Sequence, residues 1–125
     1  MGILSGNLLG EQLAERRITD VSGGQLQRAC ICRSMINQPK ILFADEPTGA
    51  LNQSPAREVM AEFTRLNQEG ATILMVTHDS KVAASCGRIL YLLDGCIKGE
   101  FSPASTVGGK EREAAVSRWL AGMGW

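Results

Sequence analysis

The sequence predicts an α/β fold, a parallel sheet with flanking helices. Two observations carry this. Short, wholly apolar runs recur along the chain: "ILFA" at 41–44, "TILMVT" at 72–77 and "RILYLL" at 88–93. Stretches of helical periodicity separate them, so the order is strand, helix, strand, helix, strand. Runs without polar alternation are what strands covered on both faces look like. At 125 residues the chain makes one domain at most.

The elements follow in order. Residues 1–20 are poorly patterned, with Gly at 2, 6 and 10. Ser22 has the character of an N-cap, with a helix from about Gly24 to Asn37 that stops near Pro39. "ILFA" is the first buried strand. "SPAREVMAEFTRLNQEG" opens with Ser54 as cap and Pro55 at the first helical position, and ends on Gly70. Along it Val59, Phe63 and Leu66 form one core-facing stripe. "TILMVT" is the second strand, a short helix near 80–86 follows, and "RILYLL" is the third. Asp94 and Gly95 then make a tight turn into "CIKGEF", a hairpin. "SPASTVGG" is a linker, and the tail "KEREAAVSRWLAGMGW" is a helix with Val116, Trp119, Leu120 and Met123 on one stripe.

Composition excludes several classes. Lys+Arg and Asp+Glu balance at 13 each, which gives no electrostatic footprint for nucleic acid or an acidic membrane. No apolar run is long enough to span a bilayer. The N-terminal "MGILSGNLLGEQ" has no basic region ahead of its apolar residues, so it does not have the form of a secretory signal. The four cysteines make no CxxC pair, and no His stands at zinc-ligand spacing. Reduced, mostly buried thiols are expected.

Three groups of residues carry chemistry. Ser22, Gly23 and Gly24 open a helix, where free N–H groups face outward and two glycines let an anion approach. Ser22 adds a hydroxyl and Gln25 an amide. Alone, such a stretch is also an ordinary helix lead-in. Asp45 and Glu46 end an apolar strand, on the edge where α/β sheets bind ligands. Consecutive side chains there diverge, so Asp45 can address a hydrated Mg²⁺ while Glu46 addresses an attacking water. The plainer alternative is two acidic residues capping a turn. His78, the only histidine, follows "TILMVT" and falls on the same edge; a lone His is also often a simple surface residue.

Taken in order, "VSGGQLQRACICRSMINQPKILFADEPTGALN" and "MVTHD" resemble the second half of an ABC transporter ATPase domain. The likeness runs from about Glu11 to Glu100. It implies a partial P-loop NTPase fold. Residues 21–25 match the signature motif, 41–46 the Walker B strand, 49–52 the D-loop and His78 the switch histidine. The resemblance implies that Ser22, Gly23, Gly24 and Gln25 touch the γ-phosphate of ATP held by the opposite subunit. Asp45 would hold Mg²⁺ through water, Glu46 would be the general base, and His78 would sense the γ-phosphate. The D-loop would be Gly49, Ala50, Leu51 and Asn52. It further implies ATP and Mg²⁺ as cofactors, a head-to-tail dimer with a second ATPase subunit, a membrane permease as partner, and no nucleic acid. The place would be cytoplasmic, on the inner face of the cell membrane. "ADEPTGALN" and the terminal "WLAGMGW" most resemble ATPase subunits of bacitracin-type antimicrobial-peptide exporters, which pair with FtsX-like permeases.

Two features depart from the pattern. Asn52 stands where the D-loop usually ends in Asp, keeping an acceptor but losing the charge. The phosphate loop GxxxxGK[ST] is absent. The nearest stretch, "STVGGKE", has Ala104 at the first Gly position and Glu111 at the Ser/Thr position. The expectation is therefore the C-terminal part of such a domain: 1–38 the end of a helical subdomain, 39–102 the rest of the ATPase core, 103–125 linker and helix. A secondary start at Met1 or a truncated gene would produce it. Without the phosphate loop nothing positions the nucleotide, so the isolated chain is expected to be inactive. The strand that leads into that loop would also be missing from between the second and third strands. A non-catalytic docking fragment, or half of an SMC-type ATPase, is the alternative; the latter calls for a long heptad coil.

Overall fold

The computed structural model describes residues 23–125. Ser22, and the expected cap there, lie outside the described residues. The elements are α1 (Gly23–Ser34), β1 (Ile41–Asp45), α2 (Gln53–Gln68), β2 (Thr72–Val76), α3 (Ser80–Ala84), β3 (Ile89–Leu93), β4 (Cys96–Phe101) and α4 (Gly109–Gly122). These elements fall into two compact units, 23–76 and 77–125.

In the first unit β1 and β2 run parallel, with Leu42 opposite Ile73 and Ala44 opposite Met75. Alternation sends Leu42, Ala44, Ile73 and Met75 into the core, where they meet Ile31 and Met35 of the α1 segment and Val59, Phe63 and Leu66 of α2. The α2 stripe is as the periodicity predicts, and each of those side chains stabilises the unit by about 1.5–3 kcal/mol. The other sheet face differs from expectation. Ile41, Phe43, Leu74 and Val76 are exposed, Phe43 by 72%. The apolar runs have the composition of strands covered twice, but among the described residues the helices of this unit cover one face only.

The helix ends refine the sequence reading. α1 stops at Ser34 and passes into a turn before Pro39. Asn52, not Ser54, is the N-cap of α2, and its side chain makes no cap bond. Ser54 and Pro55 are the second and third helical residues. Pro is tolerated there because the first N–H groups of a helix have no internal acceptor. The first intrahelical bond runs from Ala56 N–H to the Asn52 carbonyl at 3.0 Å. At the far end Gly70 takes φ +103. Its N–H donates to the Asn67 carbonyl and that of Ala71 to the Leu66 carbonyl, each at 3.0 Å, a Schellman closure. On the outer face Arg65 lies between Glu62 and Glu69, and its hydrogen bond to Glu62 raises its pKa above the usual range.

In the second unit β3 pairs antiparallel with β4, through Asp94 and Gly95 at φ 51 and 74, a type I′ turn. The hairpin is as the turn residues predict. Among the described residues the parallel sheet holds β1 and β2 alone. A tight turn offers β3 a neighbour at far lower closure cost than a crossover does. α4 lies on the hairpin: Val116 and Leu120 are buried, and Trp119 stacks on Phe101 at 5.3 Å and meets Tyr91 edge-on. Arg112 donates to the carbonyls of Ala84 and Cys86, tying α4 to the end of α3. All four cysteines are free, but only Cys32 is buried; Cys86 is half-buried, and Cys30 and Cys96 are exposed. Burial pushes the Cys32 and Cys86 thiols up. The expectation of mostly buried thiols fails because Cys30 is on the exposed side of α1 and Cys96 is the exposed residue that follows the Asp94–Gly95 turn.

Candidate functional site

Asp45 is the last residue of β1 and lies opposite Val76. The ladder continues one step further, with Glu46 N–H donating to the Val76 carbonyl at 2.8 Å. Glu46 then takes φ +44, a left-handed conformation that a non-glycine residue adopts at a cost of about 1–2 kcal/mol. This turn makes two successive carboxylates leave the strand end differently. Asp45 is exposed and Glu46 half-buried. The chain then folds through two short turns, Gly49 N–H to the Glu46 carbonyl and Leu51 N–H to the Thr48 carbonyl, both at 3.1 Å. Gly49, Ala50, Leu51 and Asn52 form the bridge from Glu46 to α2.

The two glycines that open α1 reach the same bridge. A Cβ at Gly23 would sit 3.2 Å from Leu51 Cδ2. A Cβ at Gly24 would sit 2.8 Å from Pro55 Cβ. Farther along, Arg28 pairs with Glu58 at 2.9 Å. One unit thus holds Gly23, Gly24, Gln25, Asp45, Glu46 and the turn at 49–52. Pro55 and the Arg28–Glu58 pair were not legible as parts of it; the single sign was a second glycine inside a helix, where Gly is disfavoured.

His78 stands in the second unit, exposed, on the segment between β2 and α3. That segment is tightly built. Asp79 N–H donates to Thr77 Oγ1 at 3.0 Å, and Asp79 caps α3 by accepting from Lys81 N–H at 2.8 Å.

Among the described residues no group of three or more His, Cys, Asp or Glu side chains could hold a metal by itself. One exposed carboxylate at a strand edge nevertheless suits Mg²⁺. That ion keeps most of its waters and is commonly held by one or two carboxylates together with substrate phosphates. No described helix is long and apolar enough to cross a membrane.

The family model described as ABC transporter matches residues 4–49. The chain is 50% identical over 93 residues to a macrolide export ATP-binding/permease protein, MacB, of Syntrophobacter fumaroxidans, covering 74% of this chain and 13% of that protein. It is 44% identical over 99 residues to the ABC transporter ATP-binding protein YknY of Bacillus subtilis, covering 77% and 43%. Among solved structures, the ATP-binding cassette MJ0796, a dimer bound to ADP and Pi, superposes with a TM-score of 0.64 at 39% identity, covering 80% of this chain and 44% of that one. The protein cbiO1 of Clostridium perfringens, part of an ABC transporter complex, gives 0.73 at 26% identity, covering 90% and 44%. The chain spans less than half the length of each. The fold is a partial P-loop NTPase fold of the ABC ATPase kind, and with its motifs in this order the chain belongs to the ABC transporter ATP-binding family.

Proposed function

We propose that this chain is part of the ATP-binding, ATP-hydrolysing subunit of an ABC exporter. The observation that carries the reading is the strand end at Asp45 and Glu46. Two adjacent carboxylates diverge there by a left-handed turn, in the same unit as the signature glycines. Glu46 is the general base toward water, and Asp45 holds Mg²⁺ through water. The ion, when bound with nucleotide, neutralises charge on the phosphates. Ser22, Gly23, Gly24 and Gln25 contact the γ-phosphate of a nucleotide held by a second ATPase subunit. His78 senses that phosphate. Gly49 to Asn52 are the D-loop.

The partners are a second ATPase subunit and a membrane permease, at the inner face of the membrane. The relatives named for macrolide export favour an exporter. An antimicrobial peptide of the bacitracin class, with an FtsX-like permease, is the finer proposal, and a macrolide is its competitor. Transport assays of the two compound classes with the cognate permease separate them. A second reading is a docking fragment without catalysis. Fluorescent-ATP titration of the chain with and without a separately supplied phosphate-loop segment decides between the two. Binding that depends on the added segment supports the ATPase reading; none in either case supports the docking fragment.

A further inference from the structure

We infer that Gly24 and Pro55 form a seat that holds the first turn of α1 against the first turn of α2, directly after the D-loop, which makes both of them positioning residues for the site. Gly24 is buried although it lies in the first turn of its helix. A Cβ there would meet Pro55 Cβ at 2.8 Å, Cα at 3.5 Å and the carbonyl oxygen at 3.8 Å. These are backbone and ring atoms, and proline's ring leaves them no rotamer by which to move. The neighbouring contact is different in kind. The atom facing Gly23 is Leu51 Cδ2, the tip of a side chain that can swing aside. Position 24 is therefore closed to any side chain and position 23 is not.

The seat lies between the two segments that the proposed function uses. Leu51 and Asn52 end the D-loop, and Pro55 is three residues on, in the first turn of α2. The Arg28–Glu58 pair at 2.9 Å fixes the same two helices farther along. The second signature glycine thus has a task before any anion arrives: it lets α1 approach α2 closely enough to set where the N–H groups of its first turn stand relative to the D-loop. The importance of this for nucleotide contact rests on the proposed function. The contact itself does not.

Amide exchange on the 125-residue chain tests it without nucleotide. Gly24→Ala should speed exchange at 48–52 roughly tenfold, with a smaller effect at 59–66 in the core of α2. Gly24→Ala on a Pro55→Gly background should match Pro55→Gly alone, because the nearest atom is then the Cα at 3.5 Å. On a Pro55→Ala background the Cβ remains, and the acceleration should persist. Where Gly24→Ala alone fails to fold, recovery of a folded spectrum with Pro55→Gly and not with Pro55→Ala is the expected result. Equal acceleration at both segments, no acceleration at 48–52, or equal behaviour on the two backgrounds would overturn the seat. These outcomes leave the nucleotide reading untouched, since that reading fails only in a nucleotide assay.

Discussion

Glu46 and Val76 are joined by a backbone hydrogen bond of 2.8 Å, the last bond of the parallel ladder, and Glu46 leaves that bond at φ +44. The strand is thus held to its final residue and then turned sharply. A glutamate in that conformation is strained, and the strain sits on the residue assigned as general base.

Replacing Glu46 by Gly should therefore stabilise the chain by about 1 kcal/mol, because Gly adopts a left-handed φ without penalty. Urea denaturation reads this directly. A destabilised variant would mean that contacts of the carboxylate side chain outweigh the backbone strain.

Phe63 and Phe43 should behave oppositely. Phe63 is 4% exposed and packs in the first unit's core, and Phe43 is 72% exposed. Phe63→Ala should cost about 3–5 kcal/mol. Phe43→Ala should stay within about 0.5 kcal/mol. The same denaturation series, run at dilution where the chain is monomeric, measures both, and comparable losses would show that Phe43 is covered within one chain.

The Arg88 guanidinium, hydrogen-bonded to Glu100 across the hairpin, holds that carboxyl below its ordinary value. The native state thus releases this proton at lower pH than the unfolded chain does. Its contribution is present above the unfolded value, about 4.3, and is lost as pH falls through the lower native value. Both groups are exposed, so salt should weaken the effect. An NMR titration of Glu100 should show a depressed midpoint that rises in Arg88→Ala; an unchanged midpoint would contradict the pairing.

The free apolar face of β1 and β2, with no strand beyond β2 among the described residues, should make the isolated chain marginally stable and prone to self-association. Size-exclusion chromatography should show concentration-dependent larger species, with weak amide protection in 72–77. A monomer strongly protected throughout 72–77 and 88–93 would show that the uncovered strands cost less than this account holds.

Most of the fold was legible in the sequence, for identifiable reasons. Val59, Phe63 and Leu66 repeat at helical spacing, Gly70 marks a helix end, and Asp94–Gly95 marks a hairpin. What was not legible depends on contacts distant in sequence. Composition cannot tell one covered face from two, so Phe43 was read as buried. Periodicity cannot choose a strand's register, so the pairing of Leu42 with Ile73 was not legible. A cap can come from any of several nearby polar residues, and Asn52 took the place expected of Ser54. In the candidate site, Asp45, Glu46 and the glycines at 23 and 24 are proposed by motif, and the structure places them in one unit. Pro55 was missed because its part consists of a close approach to a residue 31 positions earlier, which no local pattern encodes.

The central claim is that Glu46 is the base of an ATPase of which this chain is part. The direct measurement is ATP hydrolysis by a complete cassette, made by placing the phosphate-loop half of a relative such as the Bacillus subtilis protein ahead of residues 11–125, so that the stretch 21–25 stays whole. Glu46→Gln in that cassette should still bind ATP, lose roughly 10²–10⁴-fold in turnover, and accumulate the nucleotide-bound dimer. A Glu46→Gln cassette that turns over ATP at the parent rate would contradict the account.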